Sequence, residues 1–110
     1  MNKIVLVLTN VPEMRVAHHM ARELVERGLA ACVNLMPMVH SVYKWQGAVE
    51  DAEEVTLLIK TEESRYSEVE AAILQLHPYE VPEILALPVT QGLPAYLEWV
   101  AQETRRVGHV

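Results

Sequence analysis

Apolar and polar positions along the chain change period several times, and each change marks an element. Ile4-Val5-Leu6-Val7-Leu8 is an unbroken aliphatic run. Such a run reads as a strand buried on both faces, and hence central in its sheet. Thr9-Asn10-Val11-Pro12 breaks the strand and starts a helix, with Pro12 near its first turn. Ala17, Met20, Ala21, Leu24 and Val25 recur at helical spacing as one apolar face, and Gly28 ends the helix at C′. Leu29 to Trp45 is apolar and β-rich, far longer than the usual strand of about five or six residues. Pro37 in its middle removes a ladder donor, which predicts a kink or bulge and a place at a sheet edge. Gln46-Gly47 supplies a tight turn, and Val49 to Thr61 returns as the partner strand, with Val55, Leu57 and Ile59 on one face.

Glu62 to Leu76 reads as the second helix, with Tyr66, Val69, Ala72, Ile73 and Leu76 on one side and Pro78 forbidding its continuation. Ile84 to Val89 is a fourth strand, and Pro88 again points to an edge. A C-terminal helix follows from Ala95 to Thr104, with Leu97, Val100 and Ala101 facing inward, and Val107 to Val110 is expected to fray. The order is β-α-β-β-α-β plus a helix. Two interlocked right-handed βαβ units give a ferredoxin-like α+β fold. Its antiparallel four-stranded sheet has the predicted strand order 4-1-3-2, with the helices on one face.

The β2–β3 hairpin in this scheme is longer than one small core needs. Its outer half, Val39 to Glu53, carries Val39, Val42, Tyr43, Trp45 and Val49, which are costly to leave in water. The arm is therefore expected to dock on another subunit through Val39, Val42, Trp45 and Val49.

Length and composition narrow the function. The 110 residues suffice for one domain, 1–110, and just over half of them are apolar. The net charge is −6, and the nine Lys and Arg residues form no basic stripe, which argues against nucleic acid. The aliphatic run at the start is too short for a membrane span and lacks the flanks of a signal peptide, so the expected compartment is cytoplasmic. Cys32 is the single cysteine, so neither an internal disulfide nor a Cys-rich zinc site can form. On a strand between Ala31 and Val33 it reads as a small buried hydrophobe, with no local base or cation to activate it.

The segment His77-Pro78-Tyr79-Glu80-Val81-Pro82-Glu83 holds the densest chemistry. Two prolines stiffen a stretch containing an imidazole, a phenol and two carboxylates. His77 is the best candidate ligand for a metal ion, with Glu54 and Glu83 as candidate carboxylates brought near by the fold or across a subunit boundary. The plainer reading of His77 is a helix-terminal cap. No HxxxH, HExxH or CxxC spacing occurs, so no sequence-local metal site exists. His18 and His19 are neighbours on a helix and point about 100° apart, so they cannot share a metal. His40 lies in the hairpin arm and His109 in the tail. Tyr43, Trp45 and Tyr79 are candidates for a cleft wall, with Lys60 as a partner for an anion or a carboxylate. The charge run Glu50, Asp51, Glu53, Glu54 reads as a solvated strand face.

Several stretches together resemble the CutA family of divalent-cation tolerance proteins. They are Ala30-Ala31-Cys32-Val33-Asn34, Ser41-Val42-Tyr43-Lys44-Trp45-Gln46-Gly47, Leu58-Ile59-Lys60-Thr61, the 77–83 segment and Tyr96-Leu97-Glu98-Trp99. They run in the family's order over nearly the whole chain. The resemblance implies a ferredoxin-like subunit, a homotrimer shaped like the P-II signalling proteins, and a link to tolerance of copper and other divalent metals. It brings no catalytic activity. One departure is Thr9, where some relatives carry a cysteine; a soft thiolate ligand for copper is thereby missing. The expected protein is a non-enzymatic homotrimer with inter-subunit clefts for a divalent metal (copper or zinc) or a small ligand. The alternatives are a P-II-like small-ligand signalling module and an enzyme using His77 as general base.

Overall fold

The N-terminal aliphatic run forms β1, Ile4–Val11, in the interior of a four-stranded antiparallel sheet. The computed structural model describes residues 3–105, so the segment Val107–Val110, with His109, lies outside the described residues. β1 pairs with β3, Ala48–Glu62, on one side and with β4, Ile84–Pro88, on the other. β2, Cys32–Trp45, lies outside β3. The order β2-β3-β1-β4 is the predicted 4-1-3-2 read from the opposite edge. Helix α1, Met14–Glu26, connects β1 to β2; helix α2, Tyr66–Leu76, connects β3 to β4; helix α3, Pro94–Thr104, follows. This is the ferredoxin-like α+β arrangement with an added C-terminal helix.

Several boundaries differ from the sequence reading; β2, for one, begins at Cys32 and not at Leu29. β1 does not stop at Leu8, because β3 keeps pairing with it through Asn10↔Thr56 and Val11↔Val55. Asn10 is therefore a strand residue, and the helix starts only at Met14. Glu62 closes β3 opposite Ile4, and a single 3₁₀ turn, Glu63–Arg65, precedes α2. The end of α1 is as expected. Gly28 adopts φ +72°, the Leu29 N–H reaches the Leu24 carbonyl at 2.9 Å, and the Gly28 N–H reaches Val25 at 3.0 Å. That is a Schellman closure, and Leu24 and Leu29 meet in the core beneath it.

Pro37 acts as its missing donor dictates. Met36 faces Thr56 and Val39 faces Glu54, so Pro37 and Met38 together oppose Val55 in a β-bulge on an edge strand. Beyond the bulge the hairpin runs on to a two-residue turn in which Gln46 (φ +50°) and Gly47 (φ +85°) are both left-handed, as a type I′ turn requires. The arm stretches the chain to 50 × 27 × 22 Å, and its radius of gyration is 14.8 Å. A compact chain of this length would have about 13 Å.

Strand alternation divides the sheet into two faces. Val5, Val7, Val11, Val55, Leu57 and Ile59 point one way, into the core closed by α1 and α2 through Ala17, Met20, Leu24, Val69 and Ile73. The other face carries Leu6, Leu8 and Leu58, half-buried, and Leu85 and Leu87, exposed. α3 covers only one end of that second face, packing Val100 and Ala101 on Ile4. The crossover helices thus share a face and the C-terminal helix does not. Within one chain, β1 is buried along its length on the α1–α2 side and on the other side only at Ile4.

Candidate functional site

β4 pairs with β1 only as far as Thr9↔Ile84. The backbone of Asn10 therefore has no strand beside it on that edge. His77 takes the place of one. Pro78 stops α2, His77 turns to an extended conformation as its C-cap, and its Nε2–H donates to the Asn10 carbonyl at 2.7 Å. Its Nδ1 accepts the Tyr79 N–H at 3.1 Å. Both ring nitrogens are engaged, one as donor and one as acceptor, which is the neutral tautomer. Burial holds the His77 pKa below its ordinary value, against the opposing pull of the Asn10 carbonyl and the Glu54 charge. His77 is 8% exposed. It is a buried neutral pin at the helix end, and neither ring nitrogen is free to take a metal ion or a substrate proton.

The pin aims the next residues. The Tyr79 ring lies 4.8 Å from the imidazole, centroid to centroid, and its hydroxyl donates to Glu54 Oε2 at 2.8 Å. Burial, then the Glu54 contact and charge, push the Tyr79 phenol up to about 12, so it stays a donor at neutral pH. Asn10 ties β1, β3 and the loop together. Its Oδ1 accepts from Thr56 Oγ1 at 2.6 Å, and its Nδ2 donates to Glu83 Oε1 at 3.1 Å.

Between the hairpin arm and the 77–83 loop these contacts leave a cleft of about 570 Å³. Ser41, Tyr43 and Trp45 of β2 and Glu54 of β3 form one wall; Tyr79, Glu80, Val81 and Glu83 form the other, with Asn10 at the base. The predicted residues Glu54, Glu83, Tyr43, Trp45 and Tyr79 are thus brought together. His77 stands behind the wall. Lys60 is not in the cleft: it pairs across the sheet with Leu6 and Cys32, bonding Asn34 Oδ1 and lying 3.8 Å from Cys32 Sγ. The register places it four residues along β3 from Thr56, which faces Asn10. That ammonium is the cation that the sequence around Cys32 did not supply. His18, His19 and His40 are exposed. Sequence reasoning missed Asn10, read as a strand breaker, and gave Glu80 and Val81 of the 77–83 segment no role of their own. The one available signal for Asn10 was its even spacing from Leu6 and Leu8, which puts it on the same face of a longer strand.

A closed site for copper or zinc is not built here. Among the described residues no three His, Cys, Asp or Glu side chains stand together to hold an ion. The one imidazole nearby has no free nitrogen. Glu54, Glu80 and Glu83 offer oxygen ligands only, which suit neither a soft nor a borderline metal well. Among the described residues no helix is long and apolar enough to cross a membrane.

Comparison with known proteins agrees with the fold. A family model described as CutA1 divalent ion tolerance protein matches residues 5–103. The protein CutA of Mus musculus is 47% identical over 98 residues, covering 89% of this chain and 55% of its own length. The chain therefore spans about half the length of that mammalian relative. The divalent-cation tolerance protein CutA of Thermus thermophilus is 44% identical over 99 residues, covering 90% of this chain and 96% of its own. Its solved structure superposes with a TM-score of 0.88 over 94% of this chain and 99% of that one, at 43% identity. A CutA structure from Archaeoglobus fulgidus, described as periplasmic, is 31% identical with a TM-score of 0.90, over 93% of this chain and 99% of that one.

Proposed function

Because the chain belongs to the CutA1 divalent ion tolerance family, we propose that it serves the response to divalent cations as a non-enzymatic homotrimer, a P-II-like module whose clefts hold a ligand at the subunit boundaries. The observation that carries this reading is the apolar surface left open by one chain. Leu85 and Leu87 on the second sheet face are exposed, and Val42 and Val49 on the arm are 67% and 69% exposed. Surfaces of this kind mark interaction sites. By alternation along β3 Val49 falls on the side of Val55, opposite Leu58, so the arm and the sheet face offer two apolar surfaces for neighbouring chains to cover. The number three comes from the family resemblance. Trp45 belongs to the cleft and to the arm at once, which couples ligand occupancy to assembly.

Direct storage of copper or zinc is the weaker form of the tolerance function for this chain, since His77 can join Glu54 and Glu83 only by releasing the Asn10 carbonyl. Catalysis by His77 meets the same obstacle. The cytoplasm is the compartment proposed from the sequence. The test of the assembly is a charge on the open sheet face. A Leu8→Glu, Leu87→Glu variant should keep its far-UV circular dichroism and fall to single chains in sedimentation. A variant with unchanged mass would show that this face is not the interface.

A further inference from the structure

The cleft has a charge problem that the chain does not solve. Glu54 is 93% buried, taking its 7% exposure, and lines the cleft. Its Oε2 accepts from Tyr79, a neutral donor. Among the described residues it makes no ion pair, and no lysine, arginine or histidine lines the cleft. Glu80 and Glu83 add two more carboxylates on the opposite wall. A buried carboxylate is costly unless a counter-charge accompanies it. The missing partner is a cation, and the cavity says which kind. Its volume of about 570 Å³ is far larger than a bare ion needs and falls in the range of small-molecule sites. Tyr43, Trp45 and Tyr79 line it, and aromatic faces hold both apolar groups and organic cations. A metal ion would leave those rings unused.

We propose that the cleft binds an organic ammonium or guanidinium compound, with its cationic head on Glu54, the Glu80 and Glu83 carboxylates attracting it from the opposite wall, and its apolar body against Tyr43 and Trp45. The inference rests on the reading of the cleft as the ligand site, and it names the ligand's chemical class. The head supplies N–H donors for the Glu54 oxygen that Tyr79 leaves free.

Calorimetry on the full chain with phenethylamine as probe tests it, with 3-phenylpropionate as the anion of similar shape and zinc as the bare ion. The amine should bind and the acid should not. Glu54→Gln should weaken the amine at least tenfold. Glu83→Gln, at an exposed position that does not endanger folding, should weaken it severalfold, and Glu103→Gln on α3 should leave it unchanged. Equal binding of amine and acid overturns the proposal. So does amine binding unaltered by both cleft variants, zinc binding tighter than the amine and lost in Glu54→Gln, or no amine binding up to millimolar concentration. Light scattering on the same samples separates the two readings. Trimers that ignore the amine refute the ligand class alone; single chains that bind it refute the assembly alone.

Discussion

His77 illustrates how a titratable side chain can be structural because of its titration. Its pKa is lowered in the folded chain, chiefly by burial. Between the folded value and the ordinary value of about 6.5 the unfolded chain binds more protons than the folded one, so stability rises with pH there. The contribution of neutral His77 is complete above pH 6.5 and is lost as pH falls from there towards the folded pKa. His77→Gln removes this dependence. The difference in urea stability between the native protein and that variant should therefore narrow between pH 7 and pH 5. A constant difference would show that His77 titrates normally. The importance of the 77–83 segment was legible from its prolines and its polar side chains, but its role was not. A histidine at a helix end reads as a cation, and only the absent strand beside Asn10 makes it a neutral donor. The burial of Glu54 was equally hidden, because it closes a run of acidic residues that otherwise faces solvent.

At the scale of elements, the hairpin arm is set by two backbone devices. The Pro37 bulge was readable from the sequence, since a missing N–H has a local consequence. The end of β1 was not, since pairing with a distant strand, not local preference, carries it to Val11. The turn at Gln46-Gly47 depends on left-handed φ values at both residues. A Cβ on Gly47 would touch nothing within 4 Å, so the effect of Gly47→Ala is purely conformational. The expected loss is about 1 kcal/mol, the left-handed penalty of an L-residue. Chemical denaturation measures it. A loss of several kcal/mol would mean that the tip touches another part of the assembly.

At the scale of the whole molecule, the sheet has two apolar faces and the chain covers one of them. The sequence showed the first hint, since an aliphatic run with no polar alternation needs cover on both sides. It could not show whether that cover came from the same chain. The crossover helices α1 and α2 both lie on the side of Val5, Val7 and Val11, which leaves Leu6 and Leu8 only half-buried in the single chain. The arm adds Trp45, 46% exposed in the single chain. Aromatic anchors dominate such interfaces, so Trp45→Ala should weaken association by about 2 kcal/mol or more per interface. The subunit core should be left intact. A concentration series in sedimentation would show dissociation at higher protein concentration than for the native chain. An unchanged dissociation midpoint would place Trp45 outside the interface.

The claim that these surfaces are closed by copies of the same chain is tested most directly by the mass of the particle in solution. Light scattering coupled to size exclusion at micromolar concentration should report about three chains per particle, with each interface burying more than roughly 1,000 Å². A particle of one chain would contradict the account, because the open face of Leu6, Leu8, Leu58, Leu85 and Leu87 would then stand in water.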